Sequence, residues 1–83
     1  MPTPPSFSDL VKVMQATFNQ NHLAIGPETT SSDVPGWDSL AHVTLMLEIE
    51  HVFGVTLSPF ETAELPNVGA LHELLVERTE SAA

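Results

Sequence analysis

The chain has 83 residues, no cysteine, and eleven acidic side chains against two basic ones, Lys12 and Arg78, for a formal net charge of −9. So short a chain buries only about 60–65% of the surface its unfolded form exposes, which excludes a deep multi-residue catalytic pocket but allows one small folded domain. The acidic field repels phosphate backbones and anionic lipid, so neither nucleic acid nor a membrane surface is an expected partner, whereas basic patches on proteins are.

Without cysteine there can be no disulfide, thiolate metal site or cysteine nucleophile. Hydrophobic residues make up 42% of the chain and charged ones 16%, a balance that favours a globule over disorder. Met1-Pro2-Thr3-Pro4-Pro5 lacks the basic and apolar regions of a secretory signal, and no apolar run is long enough to cross a bilayer. A cytoplasmic, soluble protein is the expectation.

Residues 1–5 read as a flexible proline-rich leader. Ser6 then has the character of a helix N-cap, with Asp9 at the capping-box position. Phe7, Leu10, Val11, Met14 and Phe18 follow a helical rhythm within roughly 100° of arc, predicting a first helix to about Asn21. Residues 22–38 form a long connection rich in Gly, Pro, Ser, Thr and Asp, in which Leu23 and Ile25 are the apolar anchors. A loop of that length in so small a domain points to function.

Asp33-Val34-Pro35-Gly36 is turn chemistry, and the sequence becomes helix-favouring immediately afterwards. Asp38 is the candidate N-cap of a second helix that begins at Asp38 or Ser39 and runs to about Phe53, where Gly54 stops it. Leu40, Val43, Leu45, Met46, Leu47, Ile49, Val52 and Phe53 cover most of its circumference, so this helix is expected at the centre of the bundle. Only Ala41, Thr44, Glu48 and His51 remain as a solvent stripe. Val55-Thr56-Leu57 reads as an extended linker. Ser58-Pro59 fits the start of a short third helix through about Glu64, which Pro66 cannot continue. Asn67 caps a last helix with Val68, Leu71, Leu74 and Leu75 on one face, and the tail from Thr79 is expected to fray. The fold class is therefore all-α: an antiparallel four-helix bundle with three longer helices, one short one, and a long first loop, with the domain proper spanning 6–79 and the tail 80–83.

On these residues the chain resembles the acyl and peptidyl carrier proteins. Gly36-Trp37-Asp38-Ser39-Leu40 is similar to their modification site, an Asp-Ser-Leu at the start of the second helix. The resemblance extends to the loop length, to Glu48-Ile49-Glu50 with Phe53-Gly54-Val55, and to Leu65-Pro66-Asn67-Val68 before the last helix. It implies that a phosphopantetheinyl transferase uses Mg²⁺ and coenzyme A to attach 4′-phosphopantetheine to Ser39, with Asp38 and Leu40 beside it. The cofactor's thiol then carries an acyl or aminoacyl group as a thioester between a loading ligase and downstream acyl-transfer or synthase enzymes. The protein itself is expected to be a non-catalytic monomer. The resemblance further places Trp37, Ala41, Thr44, Glu48 and His51 on the partner-binding face, and Val43, Leu47, Leu65 and Leu71 in an acyl-sheltering cleft. That partner face is less acidic than in fatty-acid-synthesis carriers, and Trp37 stands where those often have another residue, so a specialised pathway is the expected setting.

Three other readings carry less. His42 and His51 lie nine residues apart and project from nearly opposite sides of a helix, so they cannot share a metal ion. Trp37-Asp38-Ser39-Leu40 is similar to a block of a serine esterase family, but Trp replaces its Gly, no strand precedes it, and Ser39 with His42 has no oxyanion hole or substrate pocket in reach. An unmodified acidic helical domain that binds a basic protein is the remaining alternative, and it differs in not needing Ser39.

Overall fold

The computed structural model describes residues 5–82, and side chains from 5 to 80. Its elements are α1 (Phe7–Thr17), a short 3₁₀ turn (Ser31–Asp33), α2 (Ser39–Phe53), α3 (Pro59–Ala63) and α4 (Val68–Ala82). This is the expected all-α bundle, with α1 and α2 packed together and α3 and α4 closing the other side.

Each helix end has a local cause. The Ser6 hydroxyl accepts the Asp9 amide at 3.0 Å and the Asp9 carboxylate accepts the Ser6 amide at 3.1 Å, forming the capping box that opens α1. That pairing also holds the Asp9 carboxyl below its ordinary pKa. The helix stops at Thr17, four residues before the expected Asn21. Asn19 takes φ 54°, and the Gln20 and Asn19 amides reach back to the carbonyls of Gln15 and Ala16. Asn is the residue other than Gly that most readily adopts this left-handed turn, and the motif satisfies the orphan carbonyls. At the other end of α2, Gly54 does the same with φ 66°.

Leu10 and Met14 from α1, Leu45, Met46 and Ile49 from α2, Val55 and Leu57 from the linker, and Val68, Leu71 and Leu75 from α4 form the core. The fully buried side chains each stabilise the fold by ~1.5–3 kcal/mol relative to exposure. Glu50 contributes from the same helix as a clamp: its carboxylate accepts the Leu57 amide at 2.9 Å and so fixes the linker after α2.

The second helix differs from expectation. Only Leu45, Met46 and Ile49 are buried on it, while Leu40, Val43, Leu47 and Val52 are 77%, 40%, 59% and 53% exposed. The apolar circumference therefore divides into a narrow buried seam and a broad open face, because the short α3 is too small to cover it.

The ends of the chain also differ. Of the expected leader, residues 1–4 lie outside the described residues, whereas Pro5 is buried and its carbonyl accepts a hydrogen bond from His72 Nε2 at 2.9 Å. At the C-terminus α4 continues to Ala82, and Thr79 is buried with its hydroxyl donating to the Leu75 carbonyl at 2.8 Å, so fraying does not begin there. Ala83 lies outside the described residues. Among those residues, no helix is long and apolar enough to cross a membrane.

Candidate functional site

The long loop delivers the site. It is pinned at its middle by α4, whose first amides donate to loop carbonyls: Val68 to Thr29 and Gly69 to Pro27, both at 2.8 Å. The Asn67 side chain accepts the Ala70 amide at 2.9 Å, so the first three amides of α4 are all engaged, and the Leu71 amide begins the regular helical bonds at 3.3 Å from the Asn67 carbonyl. Next along the loop, Asp33 accepts from the Thr30 amide and hydroxyl at 2.9 and 3.1 Å, which folds the 3₁₀ turn. Gly36 at φ 85° then redirects the chain towards Trp37.

Asp38 is the N-cap of α2. It has extended backbone geometry, and its carboxylate accepts the Ala41 amide at 2.8 Å. Ser39 follows as the first helical residue and is exposed. Its hydroxyl takes no part in a hydrogen bond among the described residues, so its oxygen is available to a reagent approaching from solvent. The helix N-terminus behind it carries partial positive charge, suited to an anionic substituent.

Beside Ser39 lies a cavity of about 560 Å³ enclosed by the loop, α2, α3 and the start of α4. Trp37, Asp38, Ser39, Val43, Leu65 and Leu71 all line it, which brings three of the four expected cleft residues together with the serine. Leu47 is not in this wall. One further turn along α2, it is 59% exposed and shares the open face with Thr44, Glu48 and His51, which are also exposed. Expected in the cleft, Leu47 thus belongs by position to the outer surface. Ala41 is half-buried. Phe60, which sequence reasoning passed over, is 87% exposed on α3 while also lining the cavity.

A second feature passed over is a directed hydrogen-bond chain behind the serine. The Trp37 indole Nε1–H donates to His42 Nδ1 at 3.1 Å, and His42 Nε2 lies 2.8 Å from Thr62 Oγ1. Indole nitrogen can only donate, so Nδ1 is the acceptor and the imidazole carries its proton on Nε2, which donates to Thr62. The buried Thr62 hydroxyl in turn donates to the Ser58 carbonyl at 3.1 Å. Burial lowers the His42 pKa, against a smaller opposing effect of the Pro59 carbonyl. Trp37 also packs on Phe18 of α1, ring centroids 5.6 Å apart. The sequence signal was a His three residues after the serine and five after the sole Trp, but its partner Thr62 is remote in the chain. No group of three or more His, Asp or Glu side chains capable of holding a metal occurs among the described residues.

A small acidic helical bundle offers one unencumbered serine at a helix start, next to an open cavity. That is the design of a carrier. A family model described as the phosphopantetheine attachment site matches residues 8–75, and the chain belongs to that family. The solution structure of a holo acyl carrier protein from Geobacter metallireducens is similar with a TM-score of 0.83 at 27% identity, covering 99% of this chain and 91% of that one. No curated protein matches the sequence. The chain is thus a carrier that holds 4′-phosphopantetheine covalently. The family is generally non-catalytic, and its members work with phosphopantetheinyl transferases and acyl-handling enzymes.

Proposed function

We propose that Ser39 is the attachment residue, and that this protein carries an acyl or aminoacyl thioester for a specialised biosynthetic pathway. The observation that carries the reading is the free, exposed Ser39 hydroxyl on the first turn of α2, flanked by the Asp38 cap and the cavity. In the modification, Ser39 Oγ bonds to the phosphorus of the phosphopantetheine half of coenzyme A. The bond from that phosphorus to the bridging oxygen breaks, the oxygen leaving with adenosine 3′,5′-bisphosphate, and the serine proton passes to a base on the transferase. Once attached, the cofactor supplies a thiol that holds cargo as a thioester.

This chain's own residues then have three tasks. Asp38 orders the turn that presents the serine. Val43, Leu65 and Leu71 offer an apolar wall to cargo. The open face of α2, with Leu40, Leu47, Thr44, Glu48 and His51, together with Phe60 and Trp37, forms the surface that partner enzymes read. Because acids outnumber bases by eleven to two, a partner with an apolar centre and a basic rim suits it best. The sparse acidity of that face and the presence of Trp37 support a specialised pathway over housekeeping fatty acid synthesis. The protein itself acts as a non-catalytic monomer in the cytoplasm.

The test is intact mass after incubation with a broad-specificity phosphopantetheinyl transferase, coenzyme A and Mg²⁺. Wild-type protein gains one phosphopantetheine. Ser39→Ala gains none while retaining its circular dichroism spectrum. Modification of Ser39→Ala, or none of the folded wild type, refutes the assignment.

A further inference from the structure

His42 is placed where three parts of the carrier meet. It sits on α2 one turn beyond Ser39, accepts from Trp37 at the end of the loop, and donates to Thr62 on α3. All three residues line the cavity. The loop wall and the α3 wall are therefore joined through one imidazole, whose Nε2–H donates to Thr62 in either charge state but whose Nδ1 accepts from Trp37 only when neutral. If Nδ1 gains a proton it can no longer accept from the indole, and two donors are left facing each other. Thr62 has its own anchor in the Ser58 carbonyl, so the Trp37 side of the chain is the one that gives way.

We propose that His42 is the positioning residue of the cavity: its neutral Nε2–H form ties the Trp37 loop to α3 and keeps the two cavity walls together beside cargo, and protonation releases the loop. The proposal rests on the carrier reading above and assigns a regulation to that same site.

The surroundings make the imidazole the responsive group. Asp38, one turn earlier on α2 and engaged with the Ala41 amide, is the other ionising residue in the cavity wall. The loop, α3 and the start of α4 contribute to that wall only residues that do not ionise, and Phe18 is what α1 packs on Trp37. Burial is the largest influence on His42 and opposes the imidazolium, while the Pro59 carbonyl favours it to a lesser extent. Modification adds a third influence. Residues three apart on a helix have Cβ atoms about 5–6 Å from each other, so a phosphodiester on Ser39 brings a negative charge close to His42 and favours its protonation. The holo carrier then releases its loop at a higher pH than the apo carrier does.

Trp37 is the single tryptophan, so its fluorescence reports the surroundings of this one side chain, with His42 and Phe18 its aromatic neighbours. Wild-type apo protein loses emission on acidification with a midpoint below the ordinary histidine value of 6.5, while its far-ultraviolet circular dichroism stays constant. In His42→Gln the amide oxygen can accept from Trp37 and its NH₂ can donate to Thr62 without titrating, so the step disappears. In holo protein the midpoint moves up. An octanoyl thioester on that holo protein, compared with free octanoyl-pantetheine at each pH, loses its protection from hydroxylamine through the same midpoint in wild type but not in His42→Gln. A wild-type step surviving in His42→Gln, a step coincident with loss of helix, or protection that ignores the Trp37 transition would each overturn the proposal. Failure of the transferase to modify Ser39 would instead refute Ser39 as the attachment residue and leave the apo result standing.

Discussion

Gly69→Ala is expected to destabilise the protein although it replaces glycine by the best helix former. Gly69 is the second residue of α4, and its amide donates to the Pro27 carbonyl at 2.8 Å. A Cβ built there meets that same carbonyl oxygen at 2.8 Å, with Pro27 Cβ at 3.1 Å and Cα at 3.3 Å. The obstacle is backbone on both sides, so no flexible side chain can swing aside. The loop must retreat, which weakens the Gly69–Pro27 and Val68–Thr29 bonds together. Each such bond contributes a net of about 0.5–1.5 kcal/mol, giving a loss of roughly 1–3 kcal/mol. Alanine returns at most about 1 kcal/mol through helix propensity. The net loss is on the order of 1 kcal/mol, a fall in Tm of roughly 4–8 °C for a domain of this size. Thermal unfolding by circular dichroism at 222 nm and urea unfolding measure it. Gly26→Ala is the control in the same loop, because nothing lies within 4 Å of the added methyl, and it should change stability by less than about 0.5 kcal/mol. A Gly69→Ala protein as stable as wild type would refute the claim that these two carbonyls clamp the loop to α4.

Two other outcomes follow from the same geometry. Asp38→Ala removes the acceptor of the Ala41 amide and should lower the urea midpoint by an amount equivalent to about 1 kcal/mol, whereas Asp38→Asn should retain most of it. Stability should also fall with acid in two stages, read from urea unfolding at a series of pH values. His42 has a folded pKa below its unfolded value of 6.5, so the unfolded chain binds its proton first and stability declines as pH drops from about 6.5 through the folded value. Asp9 is depressed below 3.8, so the stability its charged form confers is present above that pH and is lost as pH falls through its folded pKa. His42→Gln should remove the first stage and leave the second.

Much of this architecture could be read from the chain because it is written locally. The Ser6–Asp9 box, the Asp38 cap, Gly54, Pro59 at the first position of α3 and the Asn67 cap each act within three or four residues, and each is found in place. The early end of α1 was missed because Asn19 adopts the left-handed turn that glycine more often supplies. The clamp of the loop on α4 and the Trp37–His42–Thr62 chain were missed for a different reason. Both join residues far apart in sequence, and no spacing rule connects Pro27 to Gly69 or His42 to Thr62.

The misreading of α2 is the most informative. A helical wheel records that Leu40, Val43, Leu47 and Val52 are apolar, and ordinary folding logic assigns such residues to the core. In the folded chain all four are exposed, and Phe60 joins them at 87%. A core of ten residues is already complete without them. Leu40 and Leu47 share the outer face of α2, Val43 lines the cavity, Val52 lies beside Lys12 and Val13 of α1, and Phe60 is on α3. Such exposure costs solubility in the isolated domain, which the proposed cargo wall and partner surface account for. The apolar pattern of α2 thus encodes two surfaces at once, a seam for its own bundle and an exposed face beside Ser39, the one proposed above for partners. Periodicity cannot separate these two surfaces, because both obey the same helical repeat. Only the folded arrangement, in which the five-residue α3 leaves the outer face uncovered, assigns each leucine to one or the other.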